Sequence, residues 1–150
     1  MNANMPRLAA LALAGAVTLL LPGASDGRSK SSSVRLNPDA LEYAKALLAG
    51  SHVISDSKGR WRADRPSHEA ENEFIRKHGF AEYAKWHLGI DERRAENSKA
   101  RYKFPYGDFE KIHRCGLLAV KSRAQQYGYS DVEAAAAKLL DEKPLKTSTR

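Results

Sequence analysis

Cys115 is the only cysteine in the chain, and it follows Arg114 directly and His113 by two residues. A thiol near a helix start beside cationic groups favours the thiolate, so this triplet is where nucleophilic chemistry would first be sought. No base stands at a defined spacing from it, however, and a free cysteine commonly serves as a small buried hydrophobe. The histidines at 52, 68, 78, 87 and 113 form neither HExxH nor any paired spacing typical of zinc. Glu69, Glu71 and Glu73 read as a solvated helix start that favours the positive end of the dipole, not as paired carboxylates. The sequence therefore predicts no catalytic residue, no metal ligand and no cofactor, and its expectation is a protein that is not an enzyme.

Charge offers a second chemistry. The whole chain carries a formal +7, but residues 34–143 hold 20 Lys/Arg against 17 Asp/Glu. Residues 93–123 are locally far more basic, with nine Lys/Arg against Glu96, Asp108 and Glu110, and the flanking segments are mildly acidic. Interleaved with these cations are Tyr102, Phe104 and Tyr106, a composition suited to stacking bases and holding phosphates. Arg101, Lys103, Lys111 and Arg114 are the residues a weak, salt-sensitive nucleic-acid binder would use. Strict alternation argues the other way, because it sends the aromatic rings to one face and the charges to the opposite one. Arg123 and Gln125 are expected to anchor a helix to the aromatic segment, since an Arg on an otherwise apolar side usually makes a paired contact.

These residues need elements to position them. Asn37-Pro38 is a helix start, and Leu41, Ala44 and Leu48 recur at helical spacing to Gly50, which predicts a helix over 38–49. Two short β-rich runs around Ser57-Lys58-Gly59 suggest a hairpin over 53–63. A second helix spans about 67–78, ends at Gly79 and is anchored by Phe74 and Ile75, with a further short helical start open at 80–84. Ala84, Trp86, Leu88 and Ile90 then alternate with Lys85, His87 and Gly89 as a half-buried strand requires. Residues 91–100 are a solvated loop, and alternation returns at 101–106 with Pro105 marking a strand edge or end. Ile112 begins either a return strand or the next helix. Leu117, Val120, Ala124 and Tyr127 form one helix face closed by Gly128. Ser130 with Glu133 reads as a capping box opening a last helix, whose Val132, Ala135, Ala136, Leu139 and Leu140 face inward. So short a turn makes the last two helices an antiparallel αα-hairpin.

The fold class is thus α+β: one small domain over 34–143 with a helical N-terminal half, a short antiparallel sheet and a C-terminal αα-hairpin. Residues 144–150 form a tail. Residues 1–33 read as an apolar leader plus a polar linker, the run LAALALAGAVTLLL being short of a membrane span. If residues 1 to about 25 are a signal peptide the protein is exported to the periplasm or beyond; if the leader reflects a misplaced start it is cytoplasmic. The lone cysteine, which forms no internal disulfide, leans towards a reducing compartment.

The segments WHLGID, YKFPYGDFEKIHR and GLLAVKSRAQQYGYSDVEAAAAKLL together resemble a small domain of unknown function found in bacterial proteins and in proteins of tailed phages and prophages. The resemblance spans about residues 34–142. Its recurring features correspond to Trp86, the Phe104 to Gly107 turn, Arg114, and Arg123 to Gln126. It brings no reaction, cofactor or catalytic residue; taken with the rest of the sequence, the expectation is a non-catalytic binding or interaction module with an unknown protein partner and no membrane span in the folded domain, the alternatives being a weak nucleic-acid binder and an exported accessory protein. Trp86, Tyr102, Phe104, Tyr106 and Arg123 are then structural or interaction residues. Members begin near Ser29-Lys30-Ser31 without an apolar leader, which sets the resemblance against export.

Overall fold

The computed structural model describes residues 33–142; the apolar leader and the C-terminal tail lie outside the described residues. Strand β1 (Val34–Leu36) leads into helix α1 (Pro38–Ala49), which starts as its sequence predicts. The Asn37 side chain accepts the Ala40 N–H while its amide donates to the carbonyls of Ala84 and His87, so one buried cap joins three segments. β2 (Val53–Ile54), the one-turn helix α2 (Trp61–Asp64) and α3 (His68–Ala84) follow. Then come β3 (His87–Asp91), a 3-10 turn at Lys99–Arg101, β4 (Tyr102–Pro105), β5 (Ile112–His113), α4 (Arg114–Tyr127) and α5 (Ser130–Asp141). No helix among the described residues is long and apolar enough to cross a membrane.

The architecture is the expected α+β class. A three-stranded antiparallel sheet has the order β1-β3-β4, and α4 and α5 pack as a helical hairpin beside it. Ala40, Ala44 and Leu48 of α1 meet Trp86, Leu88 and Ile112, and the inner faces of α4 and α5 close the core with Leu117, Val120, Ala124, Val132, Ala136 and Leu139. Burying each of the larger aliphatic side chains contributes about 1.5–3 kcal/mol.

Several local expectations fail for tertiary reasons. Residues 53–63 form no hairpin: β2 pairs in parallel with β5 (Val53 with Ile112, Ile54 with His113), and the chain then turns into α2. The break at Gly79, by contrast, is as expected: α3 is two helical pieces joined across Gly79, which takes φ 80°, ψ 172°, a conformation open to glycine and not to a side chain, and the second piece is the short helical start left open over 80–84. Strand β3 is not half-buried. As the central strand it is covered on both faces, and His87, expected to face solvent, is 3 % exposed. Tyr102, Phe104 and Tyr106 do not share one face, because Phe104 adopts φ 62° and interrupts the alternation. Tyr102 packs with Phe80 and Tyr83, Phe104 with Tyr129, and Tyr106 with Trp86 in the core. Ser130 is the first residue of α5, not its cap, and makes no capping bond; Asp131 instead accepts the Leu36 N–H at 2.8 Å, tying α5 to β1. Tyr127, expected inside, is 56 % exposed.

Candidate functional site

Two features stand out, and they meet at Cys115. The first is a cluster of ionisable groups where β5 runs into α4. His113 precedes the helix and offers no side-chain cap. The missing cap comes from far away in sequence: Asp56, just past β2, accepts the Cys115 N–H at 2.6 Å through Oδ1. Its Oδ2 accepts the Cys115 thiol at 3.0 Å and lies 2.7 Å from His113 Nδ1. On the other side of the imidazole, Nε2 lies 3.0 Å from Asp108 Oδ2, while Asp108 Oδ1 is held by the N–H groups of Glu110 and Lys111. Asp64 of α2 completes the group, so that ligand atoms of Asp56, Asp64, His113 and Cys115 all fall within 4.8 Å of one another.

The electrostatics follow. Burial alone would lower the His113 pKa, but the hydrogen bonds and charges of Asp108 and Asp56 outweigh it and hold it above the ordinary imidazole value. Burial would raise Asp56, but bonds from Cys115 and His113 hold it below the usual carboxylate range. The Cys115 thiol is pushed up to about 12, first by burial and then by the neighbouring Asp56 carboxylate. That reverses the sequence-based argument for an activated thiol: Arg114 points into an exposed position, and a carboxylate, not a cation, is the group bonded to the sulfur. In this state Cys115 donates its S–H to the Asp56 carboxylate.

The second feature is a basic groove over α2, α4 and β4. One cleft of about 600 Å³ is lined by Lys58, Arg62, Arg65 and Arg123 around Trp61, with Cys115 in its wall. A second, of about 650 Å³, is lined by Arg65, Arg93, Arg94, Lys103 and Arg123 with Trp61, Phe104, Tyr127 and Tyr129. Trp61, Arg65, Ala119 and Arg123 border both, which makes them one continuous surface. Trp61 packs closely against α4 because the helix carries Gly116 opposite it; a Cβ there would sit 3.1 Å from the indole and 2.8 Å from the Tyr106 carbonyl oxygen. Among the described residues lining the groove, the one acidic residue, Asp91, is already taken by Arg93 at 3.1 Å and by Arg94 at 3.9 Å. Lys58, Arg62, Arg65, Lys103 and Arg123 make no ion pair with any described residue. Elsewhere most cations are neutralised, as in Arg76–Glu73, Lys85–Glu82 and Lys99–Glu71.

The residues singled out from sequence scatter across this picture. Of the four candidate phosphate contacts only Lys103 reaches the groove. Arg101 is largely covered and donates to the Arg94 carbonyl at 2.7 Å, a structural role, and Lys111 and Arg114 are exposed outside the groove lining. Arg123, expected to make a paired contact, is exposed and has no ion pair among the described residues. Trp86 and Tyr106 belong to the core. The objection from alternation does not apply to this groove, because Trp61, Tyr127 and Tyr129 come from other segments than strand β4. Sequence reasoning missed Asp56, Asp64, Trp61, Arg62 and Arg65, which it read as parts of an exposed hairpin and its approach to the next helix. No family model, no curated protein and no solved structure matches the chain.

Proposed function

We propose that the domain is a binding module whose ligand is single-stranded nucleic acid, laid along the groove between α2, α4 and β4. The observation that carries this reading is the gathering around Trp61, Tyr127 and Tyr129 of five Lys/Arg that make no ion pair among the described residues. Free cations displace the counterions of a phosphate backbone, and aromatic faces stack on bases of any sequence. An acidic peptide would use the charges but leave the rings without planar partners. The bases explain both.

The test is fluorescence anisotropy with a labelled oligothymidylate of about 16 nucleotides, a length within the range such sites cover. Binding is expected at low salt with a log–log salt slope of roughly −2 to −3.5, the value for three to five neutralised phosphates on a single strand. An Arg65→Glu, Arg123→Glu protein is expected to lose it, whereas Lys121→Glu, Lys138→Glu, with the same change of charge outside the groove, retains most of it. Absence of binding at low salt, or equal losses in the two proteins, rejects the groove as the site.

A further inference from the structure

The geometry points to a divalent metal site, of a donor set suited to zinc, formed by Asp56, Asp64, His113 and Cys115. Three separate segments deliver these groups: the chain after β2, helix α2 and the β5–α4 junction. Zinc takes thiolate, imidazole and carboxylate ligands with bonds of about 2.0–2.3 Å, which places tetrahedral ligands roughly 3.3–3.8 Å apart. The present separations bracket that value, from 2.7 Å between Asp56 Oδ2 and His113 Nδ1 to a 4.8 Å limit over the whole set. A metal would replace the Asp56–His113 and Asp56–Cys115 hydrogen bonds, taking up the thiol proton's place as the sulfur ionises.

Two further observations support a metal over a purely hydrogen-bonded clamp. Asp108 faces His113 Nε2 at 3.0 Å and is itself fixed by two backbone N–H groups. This is the carboxylate–histidine arrangement that sets the tautomer and orients an imidazole towards a metal at its other nitrogen. There is also a way in: an open cleft of about 370 Å³ is lined by Asp56, Asp64 and His113, so an ion can reach the carboxylates and the imidazole from solvent. Arg60, 3.3 Å from Asp64, is the counter-ion the metal would displace, and its exposed side chain is free to leave. Loaded, the site would pin α2 to the start of α4, beneath Trp61.

The experiment is a Co²⁺ titration of the chelator-treated full chain, followed by absorption spectroscopy. The expected result is one Co²⁺ per chain, intense visible d–d bands of a tetrahedral complex, a near-ultraviolet thiolate-to-metal band, and displacement by Zn²⁺. Cys115→Ser is expected to remove the thiolate band. Asp64→Asn removes one ligand, and among the described residues its carboxylate bonds only to exposed Arg60, so the fold is expected to hold; binding is expected to weaken at least about tenfold, since changing even a residue behind a ligand costs that much. A pale octahedral spectrum, no uptake at equimolar metal, or affinity unchanged by Asp64→Asn would overturn the site and leave the cluster as a hydrogen-bonded clamp. The readout does not involve the groove's ligand, so the metal site and the nucleic-acid reading stand or fall separately.

Discussion

The Nδ1 of His87 lies 2.9 Å from the carbonyl oxygen of Tyr83, four residues earlier, and this bond fixes the state of the imidazole. A carbonyl only accepts, so Nδ1 carries the proton and donates it. Burial lowers the His87 pKa to about 4, the bond to the Tyr83 carbonyl resisting that shift without reversing it. The neutral ring packs tilted against Tyr83, ring centroids 4.3 Å apart, where the last turn of α3 meets the central strand.

An acid-labile fold follows from that relationship. Unfolded, His87 titrates near 6.5; folded, near 4. Between these values the unfolded chain binds the extra proton, so the stabilisation is complete above pH 6.5 and is lost as pH falls towards 4. The shift corresponds to roughly 3 kcal/mol for so completely buried a group. Urea unfolding at a series of pH values is expected to show this fall. His87→Asn, which keeps a donor for the Tyr83 carbonyl and cannot charge, is expected to flatten that part of the profile; an unchanged slope in the variant would assign the acid lability elsewhere.

Tyr106 holds α1 and the α3–β3 junction together through one hydroxyl. Its oxygen lies 2.6 Å from the Lys85 carbonyl and 3.3 Å from that of Ala40, with the side chain fully buried. One proton serves the shorter contact. Tyr106→Phe preserves the ring but leaves the Lys85 carbonyl without this donor, so thermal or urea unfolding is expected to show a loss of about 1–3 kcal/mol. The aromatic packing against Trp86, with centroids 5.9 Å apart, is retained.

The elements that could be read from the sequence are those whose signals are local. Asn37 and Pro38 announce α1 because cap and first-turn chemistry act within three residues, and the 3.6-residue spacing of Leu117, Val120 and Ala124 is a property of α4 itself. For strand β2 the sequence marked a β-rich run but not its partner: Val53 pairs in parallel with Ile112, 59 positions away, and not with the adjacent run a hairpin would use. The same distance hid the site. Cys115 and His113 were visible as chemistry, but Asp56 reaches them only through that parallel pairing, and Asp64 only through a one-turn helix. His87 misled for a related reason. Period-two alternation puts it on the face opposite Trp86, and nothing in that pattern says that a kinked helix covers the second face.

Arg101 and Lys103 looked equivalent in sequence and separate cleanly in structure. The Arg101 guanidinium, 15 % exposed, donates to the Arg94 carbonyl and shapes the loop after β3; Lys103 stands in the groove without an ion pair. Arg101→Gln is therefore expected to lower stability by about 1.5–3 kcal/mol, the range for a hydrogen bond involving a charged group. Lys103→Gln is expected to leave the melting temperature unchanged and to reduce the salt slope of oligonucleotide binding by roughly 0.7, one phosphate contact. Measuring stability and the salt slope on both variants distinguishes the roles, and a reversed pattern would refute the assignment.

Gly116 links the groove to the core. Its missing side chain is what lets Trp61 sit against α4, where its ring also tilts over His113 with centroids 5.8 Å apart. In Gly116→Ala the new methyl meets the Tyr106 carbonyl oxygen at 2.8 Å, backbone that cannot swing aside, and the indole at 3.1 Å, which can. Relief of the 2.8 Å contact requires the first turn of α4 to shift away from the Tyr106 carbonyl, at an overpacking cost of about 1–3 kcal/mol, and the indole packed on that turn is displaced with it. Two readouts then change together: tryptophan emission shifts towards that of a more exposed ring, and oligonucleotide affinity falls as a stacking platform is displaced. Tyr127→Ala removes a 56 % exposed ring from the same groove, and there affinity is expected to drop by about 1–3 kcal/mol with stability untouched. If Gly116→Ala lost stability with full affinity, Trp61 would be a packing residue alone, and the stacking role would rest on Tyr127 and Tyr129.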